Sequence, residues 1–321
     1  MRALILTAGL GTRLRPLTDV RAKAAVPVNG EPIVRRVIAW LVRQQINDLV
    51  LNLHHRPASI AAIVGDGRDI GARVRYSWEN PVLGSGGGPR HALPLLVGDD
   101  PEPRADSPFL IVNGDTLTDL RLTDMIDAHR SSGALVTMAL TRNPRPDLYG
   151  GVIVRDGWVT GFSRRGTVRE SFHFIGVQVA EERAYAQLED GVPAESVAGL
   201  YPQLISADPA AVCAHVVEAP FSDVGTPAEY LQTSVNLAAV EGDHLISSVG
   251  TEIHPSAEVR RTAVWDHVAI GAHSRLEDCI VCDGVRIPEG SRYQRCAIVP
   301  HRGDALRDGE RVEGGVVVRG F

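Results

Sequence analysis

Between residues 253 and 298, apolar side chains return at steps of five or six: Ile253, Val259, Val264, Ile270, Leu276, Val281, Ile287, Tyr293 and Ile298. Two steps of six and one of five make 17 residues, and Val259/Leu276, Val264/Val281, Ile270/Ile287, Leu276/Tyr293 and Val281/Ile298 all share that offset. Few folds accept a constant coil length with one inward residue per short strand. A β-solenoid does, because each layer must reproduce the one beneath it to continue the backbone ladder and the buried column. About three coils fit the segment. The repeat also accounts for Cys279-Ile280-Val281-Cys282, whose C-x-x-C spacing otherwise suits a redox or zinc site. No second cysteine pair with zinc spacing exists, and Cys279 and Cys296, again 17 apart, are expected one above the other on successive coils.

The first 240 residues have a different texture, in which short β-rich runs alternate with helical periodicity. Leu49–Leu53 and Phe109–Val112 read as buried strands and Arg73–Tyr76 as an alternating one. Helices are expected from Ile33 to Val42, with Pro32 in the first turn, near Leu122–Arg130, near Glu181–Leu188 and from about Ala228 to Val240. Such alternation predicts an α/β domain over 1–240, a Rossmann-like, mainly parallel mixed sheet flanked by helices. Glu241-Gly242-Asp243 reads as a linker, and 241–321 as the solenoid domain. With 44% hydrophobic residues a large core is available, and no apolar run reaches the ~18–20 residues of a membrane span. The first residues lack the apolar stretch and cleavage site of a signal peptide, so a cytoplasmic enzyme is expected. A net charge of −6 without a dense basic block argues against nucleic acid as a partner.

Basic residues instead gather locally, at Arg13, Arg15, Arg21 and Lys23, which suits a small anionic ligand. They follow a buried strand, Ala3–Leu6, that feeds into Ala8-Gly9-Leu10-Gly11-Thr12-Arg13. Glycine admits the backbone angles and close approach that let N–H groups converge on an anion. The loop is not a Walker sequence, which needs Gly-Lys-Ser/Thr where this chain has Gly11-Thr12-Arg13. Nor does Arg13-Leu14-Arg15-Pro16 supply the third glycine of a dinucleotide fingerprint. Asn113-Gly114-Asp115 closes a buried strand, where a carboxylate is well placed to hold magnesium between phosphates, although the tripeptide alone is simply a good turn. Thr226 before Pro227 is a good N-cap and first-turn pair, whatever else the segment around Asp223 does.

The string from Gly9 to Val28 resembles the signature of sugar-1-phosphate nucleotidylyltransferases, Gly-x-Gly-Thr-Arg-Leu/Met-x-Pro-Leu-Thr followed by a lysine segment ending Pro-Val. The residue after the lysine, usually proline or glutamine, is Ala24 here. Phe221-Ser222-Asp223-Val224-Gly225-Thr226-Pro227 resembles a further block of the family, Trp/Phe-x-Asp-hydrophobic-Gly-Thr-Pro. Glu79 to Gly88 looks like its Glu-x-Pro-Leu-Gly-Thr-Ala-Gly segment, with one extra residue and three consecutive glycines ahead of a helix from about Pro89 to Leu96. Tyr149-Gly150-Gly151-Val152 and Phe174-Ile175-Gly176-Val177 resemble the sugar-binding blocks, but Phe162-Ser163-Arg164-Arg165-Gly166 stands where the family usually has Glu-Lys-Pro. The repeat region resembles the left-handed parallel β-helix built from hexapeptide repeats.

That resemblance implies transfer of a nucleotidyl group from a nucleoside triphosphate to a sugar 1-phosphate, with pyrophosphate released. It assigns Arg13 and Lys23 to the phosphates and Asp115 and Asp223 to Mg²⁺ as cofactor. Ala8, Gly9, Gly11, Thr12, Glu79, Gly86 and Gly87 would bind the nucleotide. Gly150, Gly176 and either Arg164 or Arg165 would bind the sugar phosphate, an arginine acting there as a fork rather than a point charge. A homo-oligomer is expected, since solenoids of this type commonly self-associate. Base and sugar stay open between mannose-1-phosphate guanylyltransferase-like members, which lead, N-acetylmuramate-1-phosphate uridylyltransferase-like members, and enzymes of another sugar-phosphate specificity such as a heptose phosphate. The rival classes are a non-catalytic regulatory relative, which retention of Arg13, Lys23, Asp115 and Asp223 disfavours, and a bifunctional enzyme whose solenoid transfers acyl groups.

Overall fold

The computed structural model describes residues 1–97 and 108–321. Spatial contacts divide the chain into two compact units, one of Met1–Gly9 with Val34–Ser222 and the other of Leu10–Ile33 with Asp223–Phe321. The chain leaves the first unit at the loop after its first strand, contributes 24 residues to the second, and returns.

The first unit is built on a nine-stranded sheet in the order Arg73–Trp78, Asp48–Leu53, Arg2–Leu6, Phe109–Asn113, Phe172–Ala180, Val136–Arg142, Val212–Val216, Trp158–Ser163 and Gly151–Arg155. The first four strands run parallel. Beyond Phe109–Asn113 the sheet is largely antiparallel, with one parallel pair, Val136–Arg142 beside Val212–Val216. The sheet is therefore mixed, and less dominated by parallel pairs than the strand–helix alternation predicts. The antiparallel half has its own local signal: Asp156 and Gly157, both at positive φ (50° and 82°), form the two-residue turn that pairs Arg155 with Trp158.

Leu4, Val50, Phe109, Ile111, Val136, Met138 and Leu140 enter one core with Leu93, Leu96, Tyr185, Leu200 and Tyr201. The helix Ile33–Arg43 buries Ile33, Val34, Val37, Ile38 and Leu41, the face its spacing predicts. Two other helices differ from expectation. Near Glu181–Leu188 only Glu182–Tyr185 is helical. The helix expected from Pro89 begins at Gly84 and runs to Val97 with Pro89 inside it.

In the second unit the 17-residue repeat becomes three short parallel sheets in strict register. Ile253, Ile270 and Ile287 stack in one, Val259, Leu276 and Tyr293 in the next, and Val264, Val281 and Ile298 in the third. All nine pack in or against one apolar column. Cys279 and Cys296 lie on successive coils, their sulfurs 3.8 Å apart. The last coil is closed by an element the repeat does not announce. Cys296–Pro300 pairs antiparallel with Val316–Gly320, and that strand with Glu310–Glu313. Two further backbone ladders thus cover an edge that would otherwise be an open template.

Candidate functional site

In an open sheet, ligands collect beyond the carboxyl ends of the strands, where the strand order reverses. Here that point lies between Arg2–Leu6 and Phe109–Asn113. The chain first builds outward from Arg2–Leu6 through Asp48–Leu53 to Arg73–Trp78, and then crosses to the opposite side. Ala8 and Gly9 emerge from one of these two strands and Asp115 from the other. Gly114 N donates to Leu6 O at 3.0 Å, and a Cβ on Gly114 would come within 2.6 Å of that oxygen. Only glycine permits the turn to lie this close, which fixes the half-buried Asp115 beside the root of the loop. Gly176, at φ 80°, backs the same turn, since a Cβ there would meet Thr116 Oγ1 at 2.5 Å and Asn113 Nδ2 at 2.7 Å.

A residue passed over in the sequence shapes the loop's first step. Asn52 interrupts the apolar run Leu49–Leu53, and its side-chain oxygen accepts from Thr7 N at 2.6 Å and Ala8 N at 3.3 Å. Its amide donates to Glu79 Oε1 at 2.6 Å, while Glu79 Oε2 accepts from Leu83 N at 2.7 Å. Glu79 is 3% exposed, and both its oxygens are engaged by protein groups that join two strand ends to the chain entering helix Gly84–Val97. A polar residue inside the otherwise apolar run Leu49–Leu53 was the available signal for Asn52.

Gly86 and Gly87 are buried in the first turns of that helix, and both their N–H groups donate to Ala194 O, at 2.8 and 3.1 Å. A Cβ on Gly87 would sit 2.6 Å from Val192 O. The glycines thus admit the 192–195 backbone, and their N–H groups are used by it. Gly150 precedes the strand Gly151–Arg155, whereas Arg164 and Arg165 stand exposed in the turn after Trp158–Ser163. Beside Gly150 lies an aromatic row that sequence reasoning missed. Arg145 reaches Tyr149 OH at 2.7 Å, Tyr149 lies 4.5 Å from the His173 ring, and His173 stacks on Phe221 at 5.1 Å. Burial holds the His173 pKa below its ordinary value, so the ring is neutral at neutral pH.

The second unit gathers the cations. Gly11 takes φ 60° and opens the short turn Thr12–Leu14. Its carbonyl accepts from Leu14 N and from Thr18 Oγ1, both at 3.0 Å, and a Cβ on it would press on Lys23 Cβ at 3.2 Å. The loop thereby folds back on itself and brings its glycine against the lysine. Lys23 Nζ stands 3.9 Å from Asp223 Oδ1. The Arg13 guanidinium lies against Gly225, where a Cβ would approach its Nη1 to 3.3 Å. Asp223 and Gly225 are held by the helix that follows, Pro227–Glu241, whose cap Thr226 accepts from Glu229 N at 3.3 Å. Arg13, Lys23 and Asp223, some 200 residues apart in sequence, therefore meet in one unit, and Asp115 follows the carboxyl end of an interior strand of the other. Among the described residues no group of three or more His, Cys, Asp or Glu side chains forms a metal set.

The family model for nucleotidyl transferases matches residues 2–239, and the chain belongs to that family. It is 27% identical to mannose-1-phosphate guanylyltransferase of Mycobacterium tuberculosis over 306 residues, 91% of this chain and 83% of that one. It is 25% identical to UTP–glucose-1-phosphate uridylyltransferase of Synechocystis over 94% of this chain and 84% of that one. Among solved structures, HddC of Yersinia pseudotuberculosis shares the fold, with a TM-score of 0.62 at 21% identity over 74% of this chain and 99% of that one. The protein is accordingly a nucleotidyltransferase, and both named relatives are enzymes that act on sugar 1-phosphates. No helix among the described residues is long and apolar enough to cross a membrane.

Proposed function

We propose that the chain is a mannose-1-phosphate guanylyltransferase-like enzyme, in which 1–240 transfers guanylyl from GTP and 241–321 is a left-handed β-helix. The observation that supports this is the Mycobacterium tuberculosis relative, 27% identical through both regions, against 25% for the uridylyl relative that also spans both.

In this reading a sugar phosphate oxygen attacks the α-phosphorus in line, pyrophosphate leaves, and no covalent nucleophile is needed. Two anions must be brought together, so the protein's work is positioning and charge compensation. Arg13 receives the leaving pyrophosphate and Lys23 the phosphates at the reacting centre. Ala8, Gly9, Gly11 and Thr12 surround the triphosphate, while Arg164 or Arg165 meets the sugar phosphate. Glu79 acts from behind, through Asn52, by setting the course of Thr7 and Ala8. Asp115 and Asp223 supply hard carboxylate oxygens, the donor chemistry Mg²⁺ prefers, and one or two carboxylates suffice where substrate phosphates complete the shell. When bound, such an ion neutralises phosphate charge. The 3.9 Å approach of Lys23 to Asp223 keeps cation and carboxylate together on the phosphate side.

The test is pyrophosphate release from each nucleoside triphosphate against mannose, glucose and N-acetylmuramate 1-phosphates. GTP with mannose 1-phosphate is expected to give the highest kcat/KM. Preference for UTP would move the assignment to the uridylyl enzymes that the Synechocystis relative represents.

A further inference from the structure

The segment that carries Lys23 is tied to the repeat region on both sides of the lysine. Two residues earlier, Arg21 sends Nε and Nη2 to the two oxygens of Asp283 at 2.6 and 2.7 Å, and Nη2 also to Asp266 at 2.6 Å. Its guanidinium carbon lies 5.4 Å from the centroid of the buried Trp265 ring. Four residues after the lysine, Pro27 O accepts from Tyr230 OH at 2.6 Å, and that hydroxyl accepts from Trp265 Nε1 at 2.9 Å. Both braces thus converge on Trp265 and the corner beside it.

Asp266 and Asp283 occupy equivalent corners of successive coils and are themselves held. Asp283 Oδ1 accepts from Asp266 N at 3.1 Å, and Asp266 accepts from the Ser247 hydroxyl. The coil repeat thereby presents two carboxylates in register, one 17-residue step apart, to a single forked cation. An exposed ion pair would fix little. This one is bidentate, backed by an aromatic face, and leaves Arg21 only 15% exposed. Burial works against the Arg21 charge, but Asp283 and Asp266 outweigh it and hold the pKa above its ordinary value. Between the braces, Lys23–Ala25 is one tight turn closed by Ala25 N to Ala22 O at 2.8 Å and Val26 N to Lys23 O at 3.2 Å.

We propose that the first coils of the repeat region are a positioning clamp for the phosphate-binding lysine, with Arg21 as the positioning residue and Asp266 and Asp283 as its anchors. The clamp rests on the assignment of Lys23 to the substrate phosphates. It gives the repeat region a part in turnover without a site of its own: it fixes where the lysine's backbone starts, and a displacement of about 1 Å at a reacting centre is enough to cost on the order of a hundredfold.

The full-length chain with Asp266→Asn and Asp283→Asn keeps the shape of both corners and removes their charge. Its kcat is expected to fall roughly ten- to a hundredfold, with KM for each substrate within about threefold of wild type. Amide exchange over residues 21–28 should quicken by more than exchange in the sheet strands, even though stranding the Arg21 charge lowers the melting temperature. Arg21→Gln should match that variant, the triple variant should be no worse than either, and Arg21→Lys should recover part of kcat. Unchanged exchange in the paired variant overturns the clamp. Faster exchange with wild-type kcat overturns the positioning role, as does a kcat deficit accompanied by equally quickened exchange in the sheet strands. A wild-type chain that releases no pyrophosphate overturns the assigned reaction instead, and the exchange measurement then still decides whether the clamp orders the loop.

Discussion

The two units solve the same problem, holding a charged group still, by opposite means. In the sheet unit Asp115 sits on a backbone turn pressed against Leu6 O, with one face of the strands in a broad apolar core and the other face also buried. Its position is a consequence of the sheet itself. In the coil unit the core is a single column of stacked residues, and ion pairs and hydrogen bonds tie the loop 10–33 to the coils. Arg21 grips Asp266 and Asp283, Arg307 pairs with Asp19, and Arg319 donates to Arg15 O at 3.4 Å. Carboxylate placement by backbone is rigid and local. Cation placement by long side chains needs anchors, and here the anchors come from residues more than 240 positions away.

The largest effect of a single change falls on the cations. Lys23→Ala should lower kcat by about 10²–10³-fold, the scale of removing one preorganised charge from a phosphoryl-transfer site, with the melting curve unmoved. A variant with normal kcat would break the comparison at its centre. Next come the cores. Leu276→Ala, in the middle of the coil column, should cost about 2–5 kcal/mol in urea unfolding and quicken exchange in the loop 10–33. Leu4→Ala, in the sheet, should cost as much while sparing that loop.

Smaller effects probe charge on the sheet side. Asp48 receives Arg2 at 3.0 Å, Arg73 at 2.6 Å and Arg75 at 3.1 Å. Partial burial pushes its pKa up, but the three arginines win and hold it below the ordinary 3.8. A carboxylate with a depressed folded pKa stabilises above its unfolded value, and that contribution is lost as pH falls below about 4 through the native value. Asp48→Asn should therefore destabilise the protein by about 1–3 kcal/mol at pH 7 and flatten the acid limb of its stability curve. The smallest effect expected is that of Thr226→Ala, about 1 kcal/mol from the lost cap of helix Pro227–Glu241.

How much of this was legible depended on whether the signal was periodic. The 17-residue offset returned as strand register, residue for residue, because a stacked coil has no other way to bury its column. Buried runs such as Leu49–Leu53 and Phe109–Val112 became parallel strands for a similar reason. The antiparallel half was less visible, since its strand directions are set by pairings distant in the chain and its clearest local mark is one Asp156-Gly157 turn. The glycine run 84–88, expected ahead of a helix from about Pro89, is itself helical: close approach of residues 192–195 to its glycines outweighs the poor helix propensity of glycine. Within the site, the charged motif residues could be named from the sequence, whereas their supports could not. Asn52, His173 and the Arg21 anchors act through partners distant in the chain, and only the fold brings those together.

The most direct test compares pyrophosphate release by the wild-type chain and by Asp115→Ala, with GTP, mannose 1-phosphate and Mg²⁺, alongside circular dichroism of both. The wild type should turn over, and the variant should lose at least about a hundredfold in kcat with its spectrum unchanged. A folded Asp115→Ala enzyme that still releases pyrophosphate in a metal-dependent way, at a rate near wild type, would contradict the account.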